Sequence, residues 1–122
     1  MILLHDNDWV FVDKPVGMAT HAGKPGELGV VEWLALHLGL ESHVVSRLDR
    51  GTSGVLMLAR TPDAAGRAQE VHESGDALKT YEFFSRTLRR GSWTCEDPLD
   101  DKPAHTEFQF VAEPSPDLYR YE

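Results

Sequence analysis

Short apolar runs alternate with turn-forming residues along the chain, and this pattern predicts a succession of strands and helices. Apolar positions at helical spacing predict one helix over residues 29–38, ended by Gly39. A second helix is predicted to follow the N-cap Thr61, with Pro62 in its first position, and to end near Gly75. Short apolar or alternating runs predict strands at residues 9–12, 54–59, 79–88, 105–112 and 118–121.

The composition is that of a soluble globular domain. The chain has 122 residues, of which 41% are hydrophobic and 26% charged, enough for one domain with an ordinary core. Its apolar runs are too short to span a bilayer, and we expect no membrane association. The single cysteine, Cys95, rules out an internal disulfide and fits a reducing, cytoplasmic environment. The six histidines show no metal-ligand spacing, so we predict no bound metal.

The charge is unevenly distributed. The net charge of −8 argues at first against a nucleic-acid partner. However, residues 44–91 hold eight bases and six acids, a net +2, whereas residues 1–43 carry −4 and residues 92–122 carry −6. An anionic ligand is therefore expected to meet the middle of the chain.

The middle segment contains the candidate chemistry, Asp49 between Arg47 and Arg50, followed by Gly51-Thr52-Ser53-Gly54. An Arg-Asp-Arg run in a strand-entry loop is commonly only a solvated ion pair. Alternatively, two nearby cations hold Asp49 ionised, which would exclude it as a general acid at neutral pH but leave it as a nucleophile or base. The arginines could also hold phosphates.

The stretch RLDRGTSGVLMLAR, residues 47–60, closely resembles the catalytic motif of the RluA-type pseudouridine synthases. Three further stretches resemble family segments in the same order: DNDWVFVDKPVGMATHAG, ALKTYEFFSR and PLDDKPAHTEFQFV. The Arg-Leu-Asp-x-x-Thr-Ser-Gly match is highly specific, whereas the Lys-Pro-x-Gly and Lys-x-Tyr pieces are weak alone.

The resemblance implies roles for individual residues. Asp49 matches the catalytic aspartate, which attacks the uridine at ribose or base, or takes a ribose proton. Arg47 matches the arginine that enters the RNA stack when the target nucleotide flips out, and Tyr81 matches the tyrosine that packs against the uracil. Arg50 is expected to bind RNA or simply to brace the loop. The implied isomerisation needs no cofactor or metal.

Other residues have more ordinary interpretations. Without the resemblance, Tyr81 on a strand beside Phe83 would more often serve core or cross-strand packing. Lys14 and Lys79 are by default surface lysines. Ser46 stands where the family usually has a histidine, which puts in doubt any part of that imidazole in fixing the loop.

The resemblance also implies a fold. It is α+β, with a mixed, largely antiparallel sheet and flanking helices, and we expect residues 1–122 to be the N-terminal portion of one catalytic domain. On this hypothesis the sheet is incomplete at the C-terminus. We expect the chain alone to be inactive, and to self-associate through an unpaired sheet edge.

The expected partner is a transfer or ribosomal RNA. Two alternatives remain open. One is a catalytically silent RNA-binding or protein-interaction fragment of such an enzyme. The other is a hydrolase or glycosidase using Asp49, for which no partner carboxylate stands in a matching motif.

Overall fold

The computed structural model describes residues 1–122, which form two compact units, residues 1–77 and 78–122. Every strand pairing is antiparallel. The α+β class is therefore confirmed, with two four-stranded sheets in place of the single sheet expected. The elements in chain order are β1 (Ile2–His5), β2 (Trp9–Lys14), α1 (Val30–Leu38), β3 (His43–Val44), β4 (Gly54–Ala59), α2 (Pro62–Ser74), β5 (Phe83–Ser85), β6 (Ser92–Cys95), β7 (Thr106–Ser115) and β8 (Leu118–Tyr121).

The first unit is built on a sheet of order β1-β2-β4-β3. β2 and β4 pair along their whole length, from Trp9 opposite Ala59 to Lys14 opposite Gly54. Because strand side chains alternate between faces, one face buries every second residue against α1. The buried core consists of Val10, Val12, Val30, Leu34, Leu56 and Leu58. The continuously apolar run of β4 favours a buried strand, and Leu56 and Leu58 are buried, but Val55 is 66% exposed.

Both helices begin and end where the sequence predicts. The Thr61 hydroxyl accepts a hydrogen bond from the Ala64 amide at 3.1 Å and so caps α2. Gly39 and Gly75 follow the helices with φ of 64° and 80°, left-handed conformations that glycine adopts readily. Neither helix combines the length and the apolar composition that crossing a membrane requires.

The second unit is built on a sheet of order β5-β8-β7-β6. The expectation that the strand at residues 118–121 leaves an unpaired edge is wrong, because β8 lies between β5 and β7.

Five aromatic rings pack against one another in this unit, Phe83, Trp93, Phe108, Phe110 and Tyr121.

The predicted strand over residues 79–88 is shorter than expected. Only Phe83–Ser85 form a strand, β5, and these residues pair with Tyr121 to Tyr119 of β8. The sequence pattern also misses β1, β3 and β6, which have four residues or fewer.

Candidate active site

The loop between β3 and β4 presents Asp49 at an exposed turn. The Thr52 amide donates to the Asp49 carbonyl at 3.0 Å, which closes the turn. Leu48 packs against the core of the first unit, whereas Arg47 and Asp49 on either side of it are exposed. The Arg-Leu-Asp order thus fixes the loop by its apolar middle residue and leaves the two charged groups in solvent.

Both neighbours of Asp49 are hydrogen-bonded to residues 15–20, which follow β2 and which we call the cradle segment. The buried Thr20 hydroxyl donates to the Leu48 carbonyl at 2.9 Å and accepts from the Leu48 amide at 3.1 Å. The Gly17 amide donates to the Arg50 carbonyl at 2.7 Å, and the Arg50 guanidinium donates to the Gly17 carbonyl at 3.2 Å. The backbone that carries Asp49 is therefore held on both sides.

Gly17 supports this arrangement through its backbone. Its φ is 88°, in the left-handed region where a side chain is strained. A glycine here lets both the amide and the carbonyl of one residue reach Arg50.

Lys14, the last residue of β2, is buried, so the prediction that it is a surface lysine is wrong. It is 0% exposed, and its ammonium donates to the carbonyls of Met18 at 2.7 Å and Pro15 at 3.1 Å. Burial lowers the pKa of Lys14, and the nearby Arg50 lowers it further, whereas Asp49 opposes the change. A signal for this position exists in the sequence, since Val10, Val12 and Lys14 alternate along β2 and so share its buried face.

The Arg-Asp-Arg run forms no ion pair within itself, so its interpretation as a solvated ion pair is wrong. Arg50 forms its ion pair with Glu27, and neither Arg47 nor Asp49 is in an ion pair. The hydrogen bond from Arg50, together with one from the Gly23 amide, lowers the pKa of the Glu27 carboxyl. The Arg50 guanidinium contacts the Glu27 carboxylate and the Gly17 carbonyl. These contacts brace the loop, which is one of the two roles expected for Arg50.

Tyr81 belongs to the second unit, while Arg47, Asp49 and Arg50 stand together on one loop of the first. Tyr81 lies two residues before β5 and is 49% exposed, so the interpretation of its side chain as core packing is wrong. Lys79 is exposed, as predicted.

Neither of two cavities in the first unit is lined by Arg47, Asp49 or Arg50. One, of about 500 Å³, is lined by residues of β3 and α2, among them His43 and His72, and the other, of about 380 Å³, lies beside Trp9 and Met57. No three His, Cys, Asp or Glu side chains are grouped as metal ligands. The site is thus a surface loop with a free carboxylate that can act as a nucleophile or base.

The chain belongs to the RNA pseudouridylate synthase family, as the resemblance to RluA-type enzymes predicted, because the sequence model of that family matches residues 8–119. The chain is 26% identical over 128 residues to ribosomal large subunit pseudouridine synthase D of Yersinia pestis, covering 98% of this chain and 39% of that protein. It is 36% identical over 81 residues to the tRNA pseudouridine(31) synthase of Saccharomyces cerevisiae, covering 66% of this chain and 20% of that one.

Solved structures support the same fold. Human RNA pseudouridylate synthase domain containing 4 superposes with a TM-score of 0.72 at 22% identity, covering 98% of this chain and 56% of that chain. The chain thus spans well under two thirds of the length of the relatives it matches.

Proposed function

We propose that this protein is an RNA pseudouridine synthase that uses Asp49 to isomerise a uridine in structured RNA. The observation that carries the proposal is the placement of Asp49 on an exposed turn whose two neighbours, Leu48 and Arg50, are hydrogen-bonded to the cradle segment. An exposed carboxylate on a fixed backbone suits a group that must reach a nucleotide and keep its orientation.

The reaction needs no external reagent. The N1–C1′ bond of the uridine breaks, the uracil turns, and a C5–C1′ bond forms, while C5 releases a proton to water and N1 gains one. Asp49 would start the reaction by attacking the ribose or the base, or by taking a ribose proton. A base in a stacked helix is out of reach, so the nucleotide would flip out and Arg47 would enter the space it leaves.

Loss of the C5 hydrogen gives a direct assay. In the full-length protein, we expect Asp49→Asn to abolish tritium release from [5-³H]uridine-labelled tRNA and rRNA prepared from cells that lack the gene. Asp97→Asn, an exposed aspartate of the second unit, serves as the matched control and should keep the release rate. Equal release by Asp49→Asn and the unaltered protein would overturn the role of Asp49. RNA binding without release by the unaltered protein would favour the catalytically silent alternative.

Tyr81 is the proposed platform for the uracil ring. Its half-exposed position leaves a ring face available. Stacking of a base on an aromatic ring is worth about 1–3 kcal/mol, so Tyr81→Ala should reduce kcat/KM by roughly tenfold or more. Tyr81→Phe retains the ring and should stay close to the unaltered protein. A loss of the same size in both variants would contradict stacking.

The RNA substrate, the role of Arg50 in RNA binding, the cellular location and self-association remain proposals. The relatives' names refer to ribosomal and transfer RNA, and we propose one of these as substrate. Arg50 as an RNA-binding residue and a cytoplasmic location also stay predictions. So does self-association, for which the edge strands are β1 and β3 in one sheet and β5 and β6 in the other. A monomer at every concentration in light scattering would contradict self-association.

A further inference from the structure

The connection between β5 and β6 concentrates positive charge in an acidic protein. Arg86, Arg89 and Arg90 stand within five residues, and no acidic residue occurs from residue 83 to residue 95. All three side chains are exposed. We call residues 86–90 the arginine loop.

Two hydrogen bonds with the Tyr121 hydroxyl hold the backbone of the arginine loop. The Tyr121 hydroxyl donates to the Thr87 carbonyl at 2.7 Å and accepts from the Arg89 amide at 2.9 Å. Tyr121 itself is only 2% exposed and packs among the aromatic rings of the second unit. The loop backbone is therefore fixed to the core of its unit.

Two of the arginine side chains lie on aromatic rings. The Arg89 guanidinium carbon is 4.5 Å from the centroid of Trp93, and that of Arg90 is 5.2 Å from the centroid of Phe110. A guanidinium that stacks by its face keeps its N–H groups at the edge, where they can donate to an acceptor. The rings thus orient the charges without neutralising them.

The protein supplies little counter-charge at this loop. Arg86 and Arg89 pair with no carboxylate, and the carboxylate partner of Arg90, Glu113, is 3.8 Å away. By contrast, Arg67 in the first unit contacts two carboxylates, those of Asp8 and Asp63. Oriented cations without internal partners suit an external polyanion.

We propose that the arginine loop binds the phosphate backbone of the RNA, a contact that is independent of base sequence. The proposal rests on the proposed function, under which the anionic ligand is RNA. Arginine forks match phosphate oxygens, and each neutralised phosphate adds to the salt dependence of binding.

The test is the salt dependence of binding to fluorescein-labelled bulk tRNA, measured by anisotropy. Each lost phosphate contact should reduce the slope of log K against log salt concentration by about 0.7–0.9. We expect that reduction for Arg89→Gln, and about twice that for Arg86→Gln with Arg89→Gln. Lys102→Gln removes one exposed charge elsewhere in the same unit and should leave the slope unchanged, as should the charge-conserving Arg89→Lys.

Tritium release at saturating RNA separates this proposal from the proposed function. An unchanged slope in the double variant overturns the arginine loop as an RNA contact, even if the unaltered protein releases tritium. A reduced slope supports the contact, even if the unaltered protein releases none. If the double variant loses binding to polyglutamate but retains the RNA slope, the loop contacts an acidic protein and the proposal is overturned.

Discussion

Arg47 and Arg50 have the same chemistry but different surroundings. Arg50 donates to Gly17 and pairs with Glu27, so its charge is used within the protein. Arg47 is exposed and has no ion-pair partner, so its guanidinium is available to a ligand. Leu48, between Arg47 and Asp49, packs against the core and so anchors the loop that carries both arginines.

This difference predicts two separable mutant phenotypes. If Arg47 fills the space left by a flipped base, as we propose, Arg47→Ala should slow turnover on structured RNA roughly tenfold or more. Its Tm should hardly change, as is usual for exposed positions. Arg50→Ala should lower both Tm and turnover, because the loop loses its anchor. Thermal unfolding and tritium release on the same preparations test this. A Tm lowered by Arg47→Ala but not by Arg50→Ala would reverse the assignment.

Lys14 predicts a pH dependence of stability. Its folded-state pKa lies below the ordinary value of 10.5, so between the two values the unfolded chain binds more protons than the folded one. The free energy of unfolding then rises with pH in that window. Lys14→Met removes the contribution. The unfolding free energy of the unaltered protein minus that of Lys14→Met should therefore increase as the pH approaches 10.5.

Chemical denaturation at several alkaline pH values measures this difference. A difference that stays flat or decreases with pH would contradict the lowered pKa. Lys14→Arg is the matched control, since it keeps a charge that does not titrate in this range. It should not show the rise of the unaltered protein.

At the scale of elements, the cradle segment and the Asp49 loop act as a pair joined mainly through backbone groups. Thr20 is the one buried hydroxyl in that junction, and it forms both hydrogen bonds to Leu48. The sequence motif identifies Asp49, but it does not show that residues 15–20 hold the Asp49 loop, because those contacts join positions 28 or more residues apart.

The Thr20 hydroxyl can be removed at nearly constant volume. Thr20→Val leaves the partly buried amide and carbonyl of Leu48 without that partner, and the loss of two hydrogen bonds should cost about 1–3 kcal/mol of stability. Turnover should fall more than RNA binding, because the orientation of Asp49 changes while the RNA-facing charges remain. Thr20→Ser retains the hydroxyl and should restore most of both. Equal turnover by Thr20→Val and the unaltered protein would show that the junction does not position Asp49.

Helix ends and strand ends differ in how far the sequence predicts them. The ends of α1 and α2 depend on local chemistry, such as the Thr61 cap and Gly75, and were predicted correctly. The bounds of β5 depend on its pairing with β8, a strand more than 30 residues away, and were predicted wrongly. Cross-strand partners lie far away in sequence, so period and propensity alone do not fix them.

At the scale of the whole molecule, each unit has its own sheet and its own buried side chains. The first has the aliphatic core around Val10 and Leu34, and the second has the buried rings of Tyr119 and Tyr121. Between α2 and β5, residues 76–82 lie outside helices and strands, and Leu78 is 93% exposed. Such a segment offers a protease an extended and accessible backbone.

The lysine positions make this connection testable. Of the four lysines, Lys14, Lys24 and Lys102 precede proline, where lysine-specific proteases cut poorly, and only Lys79 does not. We expect such a protease to cut the native protein at Lys79, giving residues 1–79 and 80–122. Amide protection in β2 and β4 should persist after the cut, because their pairing and core lie within residues 1–77. Mass spectrometry with hydrogen exchange checks both results. Resistance at Lys79 would show that the connection is protected, and loss of protection in β2 after cleavage would show that the first unit needs the connection intact.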